Sequence, residues 1–187
     1  MTTHYLQLTL LPDPEFSAHL LMDALLNKLH RGLVSLHCDS VGISFPGWSQ
    51  NPRNLGGQLR LHGSEPALTQ LMASNWLRGM NDHIERSPVS PVPADAQPGF
   101  VRRRQFKTSA ERLRRRRMKR HDESYEQALE AIPVSVERKP KLPYATLRSS
   151  SSDQRFQLFI DQQPASQHQH GSFNCYGLSN SATVPLF

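Results

Sequence analysis

A histidine in the first predicted helix is well placed for proton transfer. His30 lies at the edge of an apolar stripe, because its neighbours at three- and four-residue spacing are Leu26, Asn27, Leu33 and Val34. An imidazole exchanges protons near neutral pH, so a histidine at such a boundary suits general acid–base chemistry. The alternative is a boundary histidine that makes a hydrogen bond and has no catalytic role.

Other reactive side chains form weaker patterns. The serines Ser149–Ser152 follow a predicted strand, where serine is usually a turn residue, and the adjacent sequence offers no base to activate one as a nucleophile. His168 and His170 could supply two metal ligands, but without a nearby carboxylate they make a poor site. The sequence also lacks a phosphate-binding loop, a dinucleotide fingerprint and an HExxH motif. We therefore expect no metal and no cofactor.

The segment "ERLRRRRMKRH" (111–121) concentrates positive charge. Seven of its eleven residues are Arg or Lys, and one is acidic. Ser109 is a suitable N-cap and Glu111 would lie in the first turn, so the pattern predicts a helix. In that helix, like-charge pairs at three- and four-residue spacing would each cost roughly 0.2–0.5 kcal/mol. Leu113 and Met118 are too few to form a core stripe, so a polyanionic partner explains the segment better.

The positive charge of the chain is confined to this region. The whole chain has a net charge of +6, whereas residues 102–120 alone carry +10. Such asymmetry indicates nucleic acid or an anionic membrane surface. A membrane-surface helix would need a face of Leu, Phe or Trp opposite its cations. Nucleic acid is therefore the preferred partner, with a solvated tail or an acidic protein as the alternative.

The sequence gives no sign of membrane insertion or secretion. No run approaches the ~20 apolar residues of a transmembrane helix. The first residues lack the basic region of a signal peptide and carry Asp13 and Glu15 early. Cys38 and Cys175 are too few for a disulfide framework or a metal set. We therefore expect a cytoplasmic protein.

The N-terminal half alternates between strand and helix patterns. Alternation and apolar periodicity predict strands over 4–10, 41–45 and 58–63, a short strand within 81–93, and helices over 18–36 and 64–80. Ser17 and Ser64 are the expected helix caps. The order β-α-β-β-α-β over about residues 1–92 predicts a ferredoxin-like unit.

The C-terminal half follows a proline-rich stretch. Residues 88–99 contain four prolines and indicate a linker, so we predict domains over 1–95 and 96–187. After the basic helix the patterns indicate a helix (124–132), strands (144–149 and 155–160), a mobile polar loop (161–172) and an uncharged tail that packs against the body. The predicted fold class is α+β: a ferredoxin-like domain followed by a C-terminal α/β domain carrying an arginine-rich helix.

Five motifs, in one order, resemble a known family. They are "HYLQLTLLPDPEF…LMDALLNKLH", "GISFP", "ERLRRRRMKRHD", "LPYATLRSSSSDQRFQLFI" and "CYGLSNSATVPLF". Together they resemble the CRISPR repeat-cleaving endoribonuclease of the type I-F (Ypest) subtype, and the resemblance runs from one end of the chain to the other.

The resemblance implies a metal-independent endoribonuclease. Such a protein binds the repeat stem-loop of precursor CRISPR RNA and cuts at the 3′ base of the stem. It then stays bound to the mature crRNA within a type I-F surveillance complex, whose other subunits are its partners. By resemblance, His30 would be the catalytic histidine, Ser149 would position the ribose 2′-hydroxyl and Tyr176 would orient His30. Ser151 would support the site.

The RNA-binding residues are implied in the same way. Arg103 and Gln105 would read base edges low in the stem, and Phe156 would stack under the terminal base pair. The residues expected along the major-groove phosphates are Arg115, Arg116, Lys119, Arg120 and His121. Lys119 stands where the family often has arginine, which keeps the charge but loses the bidentate fork. The run of serines makes the choice of Ser149 depend on its register with the preceding "LR".

These residues suit RNA cleavage by the substrate's own 2′-hydroxyl. That attack needs in-line geometry, a proton acceptor and charge neutralisation. It leaves 2′,3′-cyclic phosphate and 5′-hydroxyl ends. Two other functions stay open: a non-catalytic stem-loop-binding subunit of such a complex, and a DNA-binding regulator with its arginine helix in a B-form major groove. No helix-turn-helix pattern precedes the basic helix, which counts against the regulator.

Overall fold

The computed structural model describes residues 2–106, 109–137, 140–149 and 153–187. Within them the chain is a mixed α/β protein with antiparallel sheets. The α-helices are α1 (Ala18–Ser35), α2 (Glu65–Ala73), α3 (Ala110–His121) and α4 (Tyr125–Ala131), with 3-10 turns at Asn81–His83 and Val134–Val136. The strands are β1 (His4–Leu10), β2 (Gly42–Ser44), β3 (Ser49–Gln50), β4 (Arg53–Asn54), β5 (Gln58–Gly63), β6 (Ile84–Arg86), β7 (Ser90–Pro91), β8 (Gln97–Arg104), β9 (Tyr144–Arg148), β10 (Arg155–Pro164) and β11 (Val184–Leu186).

The first sheet is built around β1. Its strand order is β2-β5-β1-β6, with β7 also paired to β1, and every pair is antiparallel. Alternation in β1 places Leu6, Leu8 and Leu10 on one buried face. Helices α1 and α2 both contact β1. Each leucine that is fully buried in this core contributes roughly 1.5–3 kcal/mol to stability.

Helix α1 has the cap and the stripe that the sequence predicts. The Ser17 side chain accepts a hydrogen bond from the backbone N–H of Leu20. Leu25, Leu29 and Leu33 are almost completely buried. The helix also packs against β9, and this second contact is the one that brings its polar face to the candidate site.

The second sheet has the order β11-β8-β10-β9. One glutamine joins it to the first sheet. The N–H of Phe45 donates to Oε1 of Gln162 (2.9 Å), and Nε2 of Gln162 donates to the Phe45 carbonyl (3.0 Å). The uncharged C-terminal tail packs against the body as expected, because Val184 and Leu178 are buried and β11 pairs with β8.

Three predictions are wrong in extent. Helix α2 ends at Ala73 and does not reach Met80; Asn75 adopts a left-handed backbone (φ 53°), which an α-helix cannot continue through. The stretch 88–99 contains β7 and the start of β8, so it is not simply a linker. Residues 161–164 continue β10 and do not belong to a mobile loop.

The contacts divide the chain into two compact units. The sheet unit comprises Met1–Arg104 and Leu142–Phe187, and the helical unit comprises Gln105–Lys141. The predicted domain boundary between residues 95 and 96 and the ferredoxin-like arrangement stay predictions. In the part of the chain that the structure describes, no helix is long and apolar enough to cross a membrane.

Candidate functional site

A backbone carbonyl fixes the orientation of His30. The Nδ1 atom of His30 lies 2.8 Å from the carbonyl oxygen of Cys175. Because a carbonyl oxygen can only accept, Nδ1 must carry the proton of this hydrogen bond. In the neutral ring, Nε2 is then left unprotonated. The half-buried His30 therefore presents a proton acceptor in a defined direction, as a general base requires.

The ring of Tyr176 lies flat against the imidazole. The two ring centroids are 4.3 Å apart and the planes differ by 13°. Burial raises the pKa of the Tyr176 phenol, the neighbouring Cys175 raises it further and Arg103 opposes the change. The phenol therefore stays protonated at neutral pH. Its contact with His30 is through the aromatic face.

A tight turn holds Tyr176 in place. The Asn174 side chain accepts hydrogen bonds from the backbone N–H groups of Tyr176 (2.9 Å) and Leu178 (3.2 Å). Gly177 has a φ of +72°, and a Cβ there would lie 2.8 Å from a side-chain carbon of Ile43. The Gly177 carbonyl accepts a hydrogen bond from the Ile43 N–H of β2 (3.0 Å). Only glycine fits this turn without strain.

Two predicted RNA-binding residues join the same cluster. The ring of Phe156 on β10 meets Tyr176 edge-on, with centroids 6.4 Å apart. The guanidinium of Arg103 on β8 lies 5.7 Å from the centroid of Phe156 and 5.9 Å from that of Tyr176. Phe156 is half-buried, whereas Phe159 on the opposite face of β10 is buried. Phe159 is thus part of the core, whereas Phe156 keeps a partly exposed ring, and its stacking under a base pair stays a prediction.

Ser149 and His30 line the same cleft, which has a volume of about 650 Å³. Ser149 directly follows β9. Its N–H donates to the Gln154 carbonyl (2.9 Å), and its carbonyl accepts from the Asp153 N–H (2.9 Å). These two hydrogen bonds hold the backbone at Ser149. The predicted supporting residue, Ser151, lies outside the described residues.

Cations outnumber acids around the cleft, which suits an RNA backbone. The charged residues that line it are Lys28, Arg31, Arg148, Arg155, Asp23 and Asp153. Arg148 forms a salt bridge with Asp153. Among the described residues, no group of three or more His, Cys, Asp or Glu side chains is arranged to hold a metal ion.

Two residues that shape the cleft were missed from the sequence. Asp23 and Asn27, on α1, both bond to the backbone of β9. The Thr146 N–H donates to Asp23 (2.9 Å), and the Arg148 N–H donates to the Asn27 side-chain oxygen (3.0 Å). Their signal is an acid and an amide four residues apart on the polar face of α1, with Asn27 three residues before His30.

The arginine helix has the predicted start, and most of its cations fall into two groups. The Ser109 side chain accepts from the Arg112 N–H (3.2 Å). Arg114 is 5% exposed and its Nε donates to the Ile132 carbonyl (2.8 Å). Arg117 forms two hydrogen bonds with Glu123, of 2.6 and 2.9 Å. These two arginines stabilise the helical unit itself.

The second group comprises the residues predicted to contact phosphates. All five are exposed: Arg115, Arg116, Lys119, Arg120 and His121. Glu111 pairs with Arg115 (3.2 Å) and so relieves part of the repulsion. Gln105, the predicted base-reading residue at the start of the helical unit, is also exposed. The structure thus leaves the predicted RNA-binding side chains accessible.

Comparison with known proteins identifies the family. The profile of the family described as CRISPR-associated protein (Cas_Csy4) matches residues 5–187. A protein of Pseudomonas aeruginosa (strain UCBPP-PA14), named CRISPR-associated endonuclease Cas6/Csy4, is 44% identical over 185 residues, which are 98% of this chain and 99% of that protein. A protein of the same name from Escherichia coli (strain UTI89 / UPEC) is 43% identical over 185 residues, with the same coverage of both chains.

These matches confirm the resemblance inferred from the five motifs and the prediction of a nuclease. They span nearly the full length of the chain, including the segments that carry His30, α3 and Tyr176. This chain belongs to the Cas_Csy4 family of CRISPR-associated proteins.

Proposed function

We propose that this chain is a site-specific endoribonuclease that cuts CRISPR repeat RNA at the 3′ base of its stem-loop. The observation that carries the proposal is the hydrogen bond from Nδ1 of His30 to the Cys175 carbonyl. It leaves Nε2 as a proton acceptor at the cleft that Ser149 also lines. The names of the two relatives support an endonuclease.

The proposed reaction is a transesterification that uses the RNA's own nucleophile. The Ser149 hydroxyl holds the ribose 2′-hydroxyl, and Nε2 of His30 takes its proton. The 2′-oxygen attacks the adjacent phosphorus, the bond from phosphorus to the 5′-oxygen breaks, and that oxygen takes up a proton. The products are a 2′,3′-cyclic phosphate and a 5′-hydroxyl. A positioned base contributes about 10²–10⁴-fold to such a step, and we propose that it needs no metal ion.

Tyr176 and Phe156 have separate roles in this scheme. The Tyr176 face orients the imidazole and stabilises it once it is protonated. Phe156 stacks under the last base pair of the stem, while Arg103 and Gln105 read base edges low in the stem. A stem that ends on Phe156 places its 3′ base close to His30, because Phe156 and His30 both contact Tyr176.

The exposed cations of α3 bind the stem through its phosphates. An A-form major groove is deep and narrow, so a helix can enter it only where the groove opens, as it does near a hairpin end. This favours a short stem-loop over a long duplex. With five cations engaged, the logarithm of affinity should fall with the logarithm of salt at a slope of roughly −4. Such contacts would hold the product after cleavage.

The proposal includes the setting of the protein. We place it in the cytoplasm, bound to mature crRNA with the other subunits of a type I-F surveillance complex. The N-terminal part is proposed to be ferredoxin-like. The strand order β2-β5-β1-β6, with all pairs antiparallel, supports this arrangement. Both Cys38 and Cys175 are free thiols, which suits a reducing compartment.

The decisive experiment uses a labelled repeat hairpin in excess EDTA, analysed on a denaturing gel. The proposal predicts one cut at the 3′ base of the stem with a cyclic phosphate end. The same hairpin with a 2′-deoxy nucleotide at the cut should bind and stay intact. A hairpin that is bound but never cut would instead support the non-catalytic subunit. Efficient competition by duplex DNA would support the DNA-binding regulator.

A further inference from the structure

Strand β9 is an edge strand, and helix α1 covers the edge that does not pair with another strand of the described residues. It is the terminal strand of the second sheet and pairs with β10 on one side. On its other side, the Thr146 N–H donates to Oδ1 of Asp23 (2.9 Å) and the Arg148 N–H donates to Oδ1 of Asn27 (3.0 Å). The Asn27 amide nitrogen also lies 3.4 Å from the Thr146 carbonyl. Two side chains thus take the place of a neighbouring strand.

These side chains share a helix face with the candidate base. Asp23, Asn27 and His30 follow one another at spacings of four and three residues, so they lie on one side of α1. The Asn27 amide also donates to the Asp23 carbonyl (2.8 Å), which fixes its rotamer. The residues of α1 that bind the edge of β9 therefore lie next to His30 on the same side of the helix.

The strand edge continues directly to the candidate ribose-binding residue. Arg148, which Asn27 holds, is followed immediately by Ser149. His30 and Ser149 belong to segments more than a hundred residues apart, and both line the cleft. The hydrogen bonds of Asp23 and Asn27 connect the helix that carries one to the strand that carries the other.

The burial of Asp23 indicates that its contact has a specific role. The residue is only 8% exposed, and burial raises the pKa of its carboxyl group. Nε2 of His19 lies 3.7 Å from Oδ2 of Asp23. A buried carboxylate that bonds a backbone N–H adds geometric definition that an apolar contact would not.

We propose that Asp23 and Asn27 are positioning residues that set the distance and orientation between Ser149 and His30. The inference rests on the proposed function and adds to it the device that aligns the ribose hydroxyl with its base. Misplacement of a reacting group by about 1 Å can cost about 10²-fold in rate. Loss of these hydrogen bonds should therefore slow the chemical step without weakening the binding of the exposed cations to the stem.

The test compares Asn27→Leu with Gln162→Leu. Gln162 is a matched control because its amide also bridges backbone groups within the sheet unit, at Phe45. Both variants lose one bridging amide. We expect Asn27→Leu to lower the single-turnover rate at saturating protein on the order of 10- to 100-fold. Its hairpin Kd should change by less than about twofold, because α3 supplies the phosphate contacts. Gln162→Leu should lose similar thermal stability and keep its rate.

Two further readouts separate positioning from simple loss of stability. Asp23→Asn keeps an acceptor for the Thr146 N–H and should retain most of the rate, whereas Asp23→Leu should not. In Asn27→Leu the plateau of the pH–rate profile should fall while its midpoint stays, because His30 remains the base.

Equal rates for Asn27→Leu and Gln162→Leu, measured well below both melting temperatures, would overturn the inference. An unaffected rate in Asp23→Leu would do the same. Failure of the wild-type protein to cut the hairpin would instead remove the proposed function. Cutting by the wild-type protein and by Asn27→Leu at one rate would remove only the role of these two residues.

Discussion

The sheet unit and the helical unit treat their polar side chains in opposite ways. In the sheet unit, His30 is fixed by the Cys175 carbonyl and by the face of Tyr176. In the helical unit, Arg115, Arg116, Lys119 and Arg120 are exposed along α3. A reacting group needs one geometry, whereas a phosphate-binding group needs charge and access. The difference fits the proposed division between chemistry and binding.

Two arginines of the helical unit stabilise that unit itself. Arg114 and Arg117 bond to Ile132 and Glu123 and bring α3 and α4 together. The remaining cations repel one another at three- and four-residue spacing, at roughly 0.2–0.5 kcal/mol per pair. Phosphates would relieve that repulsion, so α3 is expected to gain stability when RNA binds.

The largest expected effect comes from removing the base. His30→Ala should lower the single-turnover rate about 10²–10⁴-fold, because no other group would accept the proton of the 2′-hydroxyl. The hairpin Kd should stay nearly the same. His37→Ala is the control, since His37 is exposed just beyond the end of the same helix and is not among the residues that line the cleft. A His30→Ala protein that cuts at the wild-type rate would contradict the proposed mechanism.

The opposite behaviour is expected when exposed cations of α3 are removed. The double variant Arg116→Ala, Arg120→Ala should weaken hairpin binding at least about tenfold, because hydrogen bonds to charged groups contribute roughly 1.5–3 kcal/mol each. The salt dependence of log Kd should become shallower by about 0.9 per lost contact. Cleavage at saturating protein should stay close to wild type.

Arg117→Ala provides the comparison on the same helix. It removes one positive charge, as each substitution of the double variant does, but Arg117 is engaged with Glu123. We expect it to lower the melting temperature of the helical unit and to leave the salt slope unchanged. Equal salt slopes for Arg117→Ala and the double variant would break the distinction between internal and exposed cations.

Periodicity was sufficient to predict the elements that carry the candidate base. β1, α1 and β5 each have a continuous buried face, and their predicted bounds agree closely with the structure. The position of His30 at the edge of the α1 stripe could also be predicted, because apolar spacing alone defines that edge. The exposed cations of α3 followed from charge in the same way.

Long-range polar partners could not be predicted. His30 bonds to the carbonyl of a residue 145 positions away, and Asn27 bonds to a backbone N–H 121 positions away. Backbone groups are present at every residue, so no residue type marks the ones that matter. The tautomer of His30 and the positioning pair therefore required the structure.

Composition misled at the proline-rich stretch for a related reason. Pro98 lies in β8 opposite Pro185 of β11. Prolines normally count against a strand because they cannot donate to the ladder. Here they face each other, and that pairing depends on a segment almost ninety residues away. The extension of β10 likewise depends on the bonds of Gln162 to Phe45.

The two units should lose stability in different pH ranges. Burial, with a smaller effect from Arg60, lowers the pKa of His62 to about 3. The unfolded state therefore binds the proton more readily between pH 6.5 and 3, and the stability of the sheet unit should fall as the pH falls through that range. The loss is at most about tenfold in the folding equilibrium constant per pH unit. His62→Gln should flatten this dependence.

The helical unit should respond in a lower pH range. The hydrogen bond from Arg117 holds the pKa of the Glu123 carboxyl below its usual range. Its contribution is therefore present at higher pH and is lost as the pH falls through the lowered value. Amide exchange of β5 and α3, measured against pH, would test the order. Loss of protection in α3 before β5 would contradict it.

The smallest effect tests which part of Tyr176 acts on His30. Tyr176→Phe keeps the stacked ring and should leave the single-turnover rate within about twofold. Tyr176→Leu removes the aromatic face, and a stacked pair is worth roughly 0.5–1.5 kcal/mol beyond its buried area, so the rate should fall several-fold. Tyr144→Leu is the control, because Tyr144 contacts His19 edge-on in the same unit. If Phe and Leu at position 176 slow the reaction equally, the phenol hydroxyl is the active part, and the stack orients nothing.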